Sequence, residues 1–257
     1  ALDGRSPDYL IVHHLEPDHS AMIARMLADY PEMKVGASAI AVRMLPQFFD
    51  GVDFSGRTVV VADGDVLQLG RHSLQFIMAP MIHWPEVMMS YDASEGILFS
   101  ADAFGKFGSL SRAGGLRGVS LQMWTEEARR YYFNICGKYG PQVQKLLKRA
   151  AALDIRMICP LHGPVLDADI AGAVRLYDIW SSYRPETDGV VVAYASIHGG
   201  TAEAAGRLAS ILESAGTKVA VRDLCRCGVS YAVSDAFRYS SLVVAASSYD
   251  AGLFPPM

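Results

Sequence analysis

The stretch HHLEPDHSA, His13 to Ala21, sets three histidines and two acids within the seven residues His13 to His19. Imidazole and carboxylate together suit first-row transition metals, iron among them. Written His14-x-Glu16-x-Asp18-His19, the motif follows the apolar run YLIV, as ligands carried by the loop beyond a strand would. In extended backbone alternate residues point the same way, so His14, Glu16 and Asp18 can converge while His19 reaches in from a following helix. Three more residues stand just beyond apolar, strand-like runs: His83 in APMIHWP, Asp102 in LFSADAFG and His162 in ICPLHGP. A carboxylate shared between two cations is the usual bridge of a dinuclear site. The inventory then divides into His14, Glu16, His83 and Asp102 for one metal, and Asp18, His19, Asp102 and His162 for the other. A lone histidine after a strand is more often a hydrogen-bonded structural residue than a ligand. Seven such residues behind one dense motif point instead to a metal pair.

The elements that must position these groups read as an α/β layer protein. Runs such as YLIV, TVVVA, LQFIMA and GILFSA are strand-like, and helical periodicity marks about 125–136, 141–152 and 169–182. His13 alternates away from His14, and His72 falls in the turn-like LGRHS. Both are expected at the surface or behind the ligands. The loop SLSRAGGLRGVS, 109–120, is read either as a flank of the metals or as a solvated loop.

Near residue 185 the pattern breaks. SSYRPETDG lacks apolar period and reads as a linker, dividing the chain into 1–184 and 185–257. From Gly189 onward, VVVAYA predicts a buried parallel strand and TAEAAGRLASILESAG a helix with Thr201 near its N-cap and Gly216 past its end. KVAVRDL and SSLVVAAS follow as strands, which predicts a doubly wound second domain. The βα turn holding Ser196, Ile197, His198, Gly199, Gly200 and Thr201 could hold a phosphate on backbone N–H groups and the helix dipole.

Composition narrows the function classes. Of 257 residues, 51% are hydrophobic and 19% charged, and 23 basic against 27 acidic residues leave a net charge of −4. That describes a globular chain without a nucleic-acid footprint, so small-molecule chemistry is favoured. No apolar run approaches the roughly 18 to 20 residues a membrane span needs, and a cytoplasmic protein without membrane contact is expected. Cys136, Cys159, Cys225 and Cys227 form no CxxC pair, so no zinc knuckle or rubredoxin-type iron site is encoded.

With these motifs in place, the sequence resembles the flavodiiron proteins, or A-type flavoproteins. HHLEPDHSA matches the family's H-x-E-x-D-H, and HWPE, SADAFGKFG and PLHGP match its later ligand motifs at similar spacings. The resemblance implies a metallo-β-lactamase-like αββα sandwich over 1–184 and a flavodoxin-like doubly wound domain over 185–257, each incomplete. An internal stretch of a longer protein is therefore expected. It implies two non-haem irons, bridged by Asp102 and served closely by Glu16 and His19, and FMN held by the Ser196–Thr201 loop. A second flavin loop would be AASSYDAGLFP, with Ser248, Tyr249, Asp250 and Gly252 as contacts and Tyr249 able to stack on the isoalloxazine ring. The implied reaction is reduction of dioxygen to water or of nitric oxide to nitrous oxide, with electrons from rubredoxin or another reductase. A head-to-tail homodimer, and Tyr131 or Tyr132 beside the metals, belong to the same expectation.

Glu16 separates this pattern from the zinc hydrolases of the superfamily, which carry histidine there. A carboxylate adds negative charge and a hard oxygen donor, favouring iron over zinc. The rival readings are a dinuclear zinc hydrolase with a flavodoxin-like appendage and a non-enzymatic binding module.

Overall fold

Alternation and small residues build the first layer. YLIV forms β1 (Tyr9–Val12), followed by the single-turn helix α1 (Pro17–Ser20) and by α2 (Ile23–Asp29). Next come β2 (Lys34–Ser38), α3 (Ala39–Phe48) and β3 (Thr58–Val61). The three strands form a parallel sheet in the order β1-β2-β3. Its core joins Val12, Leu15, Val35 and Ala37 to Leu27 and Leu45 from the helices. The Ser38 side chain caps α3 by accepting from Ala41 N at 3.1 Å. The computed structural model describes residues 2–110 and 117–257.

The second sheet runs β4 (Val66–Leu69), β5 (His72–Met78), β6 (Met88–Asp92), β7 (Ile97–Phe99) and β8 (Met157–Cys159), in that spatial order. Neighbours are antiparallel except β7 and β8, which pair in parallel. The parallel pair requires a long crossover. It is supplied by α4 (Leu121–Ile135) and α5 (Gly140–Ala150), and α6 (Ile170–Ser181) packs on both. Trp124, Tyr132, Tyr177 and Trp180 fill the space between these helices and the sheet. The helices thus appear where periodicity placed them, with α4 beginning earlier because Ser120 Oγ accepts from Met123 N. His72 opens β5 rather than lying in the preceding turn; its Nδ1 is 2.7 Å from Asp92 Oδ2.

The remaining chain forms β9 (Thr187–Ala195), α7 (Gly200–Ser214), β10 (Val219–Asp223), α8 (Val229–Arg238) and β11 (Tyr239–Ala246). The strands pair in parallel in the order β10-β9-β11, as a doubly wound fold requires. A small hairpin, β12 (Ser248–Tyr249) and β13 (Gly252–Leu253), follows. Two details differ from the sequence reading. The N-cap of α7 is Gly199, at φ 92°, which places Thr201 inside the first turn. The stretch expected as a linker is tied down: Glu186 accepts from Arg129 and from Trp180 Nε1 at 2.6 Å, and β9 starts at Thr187. Among the described residues, no helix is long and apolar enough to cross a membrane.

Candidate functional site

All seven residues of the expected ligand set meet where strand ends and loops of the first two sheets converge. His14, Glu16, His83 and Asp102 form one group and Asp18, His19 and His162 a second, each with its ligand atoms within 4.8 Å of one another. In the first, His14 Nε2 lies 3.3 Å from Glu16 Oε2, and His83 Nε2 lies 3.2 Å from that oxygen and 3.0 Å from Asp102 Oδ2. In the second, His162 Nε2 is 3.2 Å and His19 Nε2 3.6 Å from Asp18 Oδ2. Asp102 belongs to both, because its other oxygen, Oδ1, is 3.1 Å from His19 Nε2 and 3.8 Å from His162 Nε2.

The donors pair off only in part, His83 Nε2 with Asp102 Oδ2 at 3.0 Å and His14 Nε2 with Glu16 Oε2 at 3.3 Å. His19 Nε2 and Asp102 Oδ1 are buried, and neither makes a hydrogen bond. Buried polar atoms are ordinarily satisfied, so this pair is waiting for something else. Two donors bound to one cation at about 2.0 to 2.1 Å lie roughly 3 Å apart, the spacing seen here. The charge balance agrees. Burial works against it, yet the neighbouring histidines hold the Asp102 carboxyl well below the usual carboxylate range. Burial also opposes a charge on His19 and His83, but the Asp102 carboxylate outweighs it and raises both. Positive charge at this point is therefore favoured.

Local backbone makes the convergence possible. Ala101 and Phe104, on either side of Asp102, adopt φ of 51° and 65°, a conformation non-glycine residues enter at a cost and often at functional sites. Gly105 is required: a Cβ there would stand 2.9 Å from Asp102 O and 3.2 Å from His162 Cβ. Of the two tyrosines, Tyr131 faces the site, its ring 5.4 Å from His162. Tyr132 packs against Tyr177 and Trp180 instead. His13 lies half-buried behind the ligands, with Nε2 2.8 Å from Ser90 Oγ, and burial lowers its pKa to about 4. Of the loop 109–120, residues 111–116 lie outside the described residues. Sequence reasoning quoted HWPE for His83 and gave no role to its Glu86, a fully buried acid 2.7 Å from His14 Nδ1. The available signal was its place inside the apolar run WPEVMM.

The flavin candidates meet at the C-terminal ends of β9 and β11, the ligand edge of doubly wound sheets. Ser196 Oγ accepts from Gly199 N at 3.1 Å, shaping the turn into α7. A Cβ on Gly199 or Gly200 would meet nothing within 4 Å, so the space before the helix start is open, as a phosphate would need. Thr201 Oγ1 is 2.9 Å from Ser247 Oγ, a residue the sequence reading passed over. Ser248 and Tyr249 pair with Leu253 and Gly252 in the hairpin, whose turn holds Asp250 and Ala251 at φ 47° and 57°. Tyr249 is 54% exposed, so its ring is available. Ile197 and His198 are exposed in the first loop.

The family model described as ODP family beta lactamase matches residues 2–163. The chain belongs to that family. Rubredoxin-oxygen oxidoreductase of Megalodesulfovibrio gigas is 28% identical over 258 residues, taking in 99% of this chain and 63% of the relative. The solved rubredoxin oxygen:oxidoreductase of Desulfovibrio gigas superposes with a TM-score of 0.87 at 27% identity, covering 97% of this chain and 62% of that one. A mutant of the flavo di-iron protein of Thermotoga maritima gives 0.85 at 25%, covering 96% and 62%. The αββα metallo-β-lactamase-like fold of this ODP-family chain, followed by doubly wound structure, is thus that of flavodiiron proteins. The chain spans less than two thirds of the length of these relatives.

Proposed function

We propose that this protein is a flavodiiron oxidoreductase that reduces dioxygen to water, nitric oxide to nitrous oxide, or both. The observation that carries the reading is Asp102, a buried carboxylate whose two oxygens face two different ligand groups. Glu16, where hydrolases of this fold place a histidine, adds the acid that favours iron over zinc. His14, Glu16, His83 and Asp102 would hold one iron, and Asp18, His19, His162 and Asp102 the other. Asp102, Glu16 and His19 stand closest to the reacting centre in this reading. The iron pair, refilled through FMN, would supply electrons to the bound gas, a task redox-inert zinc cannot perform.

In the same reading residues 1–184 are the metal domain and residues 185–257 flavodoxin-like. FMN phosphate would be held by Ser196, Ile197, His198, Gly199, Gly200 and Thr201, and the ring would be met by Ser248, Tyr249, Asp250 and Gly252. The donor is rubredoxin or another reductase, as the relative's name suggests, and the protein is a cytoplasmic head-to-tail homodimer. Tyr131 closes the His162 side of the site, and its hydroxyl is pushed far up by burial, with the Asp102 charge adding to it. It therefore stays protonated and can donate a hydrogen bond toward the centre.

The test is to purify the protein anaerobically and measure iron, zinc and flavin per chain, then O2 and NO consumption with reduced rubredoxin. Two irons, bound flavin and gas consumption are expected. Zinc without flavin, together with hydrolysis of an ester or amide, would transfer the assignment to the hydrolases.

A further inference from the structure

Glu86 is 1% exposed, and both its carboxylate and its backbone are held. Its Oε1 accepts from His14 Nδ1 at 2.7 Å and from Leu15 N at 3.0 Å. Its carbonyl accepts from Ser38 Oγ at 2.8 Å, and Ser38 is itself the cap of α3. Oε2 is buried with no partner. We propose that Glu86 is a positioning residue for the His14 ligand group, holding the His14 ring in the tautomer and orientation that aim Nε2 at the cation. The inference rests on the reading of that group as a metal site.

The tautomer follows from the hydrogen bonds. A carboxylate can only accept, so the proton of neutral His14 stays on Nδ1 and Nε2 carries the lone pair. That lone pair faces Glu16 Oε2 at 3.3 Å and Asp102 Oδ2 at 3.6 Å. Three electron-rich atoms facing one another repel unless a cation lies among them. Trp84 closes the ring's flank, its centroid 5.1 Å from that of His14 and nearly perpendicular. Swinging the ring away would cost both the Nδ1 bond and this packing. Serving Leu15 N alone would not call for an acid, since a glutamine oxygen would accept that bond without the desolvation cost of a buried charge. What the acid adds is a fixed tautomer and ring orientation, the part that outer carboxylates play at histidine metal sites generally.

The experiment is anaerobic titration of the metal-free protein with ferrous iron, read by equilibrium dialysis, with circular dichroism and melting temperature recorded alongside. Wild type should take up two ions per chain. Glu86→Ala should bind one ion as wild type does and the other about ten- to a hundredfold more weakly. Glu86→Gln keeps an acceptor and should weaken the same single ion by a smaller factor. Two unweakened ions in Glu86→Ala would overturn the proposal. So would equal weakening of both ions with a lowered melting temperature, the mark of a purely structural role. Should the alanine variant not fold, the glutamine variant decides, since weakening of one ion supports the proposal and unchanged affinity for both overturns it. A wild-type protein that takes up no iron removes the metal reading and this inference with it.

Discussion

The two candidate cofactor regions differ in how much of their chemistry is present in the protein alone. At the metal centre the side chains of His14 and Asp102 are fully buried, and imidazoles and carboxylates from four separate loops stand 3.0 to 3.8 Å apart. At the flavin loops the polar groups satisfy one another, as Thr201 does with Ser247 and Ser196 with Gly199, and the surface is open. A cation site concentrates imidazoles and carboxylates that take up protons where the ion is absent, so its donors stand out in the protein alone. A flavin site is built from backbone amides, a helix start and an available ring, each of which has an ordinary use elsewhere. The metal region should therefore respond to single substitutions far more sharply than the flavin region.

The sharpest break in that comparison is Asp102→Asn. The amide is a poor bridge, and it leaves two cations facing one another with one charge fewer between them. Iron content should fall toward one ion or none per chain, with affinity reduced by on the order of a hundredfold or more, while flavin content stays at the wild-type level. Elemental analysis beside flavin absorbance measures both. Two retained irons with normal turnover would show that Asp102 is not the bridge.

Acidification follows. Asp102 raises His19 and His83 above the ordinary imidazole value of 6.5, so in the metal-free protein both keep their protons to higher pH than a free imidazole would. Iron must displace those protons, and its affinity should fall steeply as the pH drops through the raised values, by as much as about tenfold per unit for each proton released. The sign reverses for the stability of the metal-free protein. A raised folded-state pKa stabilises fully below 6.5 and loses that contribution as pH rises through the raised values. Melting temperature of the metal-free form should thus decline on passing from acid to alkaline conditions relative to a His83→Gln variant. The iron-loaded form should show the opposite trend.

Glu16→His is the next in size. It restores the ligand pattern of the hydrolases while leaving the other six ligands in place, and it removes one negative charge from around the metals. The ratio of iron to zinc taken up under equal supply should fall by on the order of tenfold, and gas reduction with it. Hydrolysis is not expected to appear, because no substrate pocket has been shaped for it. A variant with two irons and unchanged turnover would make Glu16 a bystander.

Much of this was legible in the sequence, and the difference between the regions explains what was not. The convergence of the seven proposed ligands could be expected because each follows an apolar run that forms a strand, and side chains beyond strand ends converge by topology. The long helices α4, α5 and α6 and the parallel strands β9, β10 and β11 were legible for the same reason, a sustained period. Elements whose period is short or broken were lost: β2 is the small-residue run KVGAS, and α3 contains Pro46. Glu86 was given no role because an acid in an apolar run carries no period at all, and its role appears only when the chain brings it back to His14. Ser247 was missed for a related reason. Its hydroxyl matters through Thr201, which is 46 positions away in the chain.

That contact shapes the smallest expected effect. The Thr201 hydroxyl is shared with Ser247 Oγ, and Ser247 Oγ also receives Ile197 N at 3.4 Å. The two hydroxyls therefore hold the phosphate loop and the strand end of β11 together as one unit. Removing one of them leaves the other free to meet a phosphate oxygen, so Thr201→Ala should weaken FMN binding by only about 1 kcal/mol. Ser247→Ala should cost a similar amount. The double variant should cost more than the sum if each hydroxyl can stand in for the other, and the sum if each reaches the phosphate on its own. Flavin affinity is measured by fluorescence quenching on titrating FMN into flavin-free protein, with iron content followed as the internal reference. Iron should not change in any of the three variants. A loss of iron on Thr201→Ala would break the contrast between the two regions, because it would mean that the flavin loops and the metal centre are coupled. Unchanged flavin affinity in the double variant would place the phosphate outside this turn.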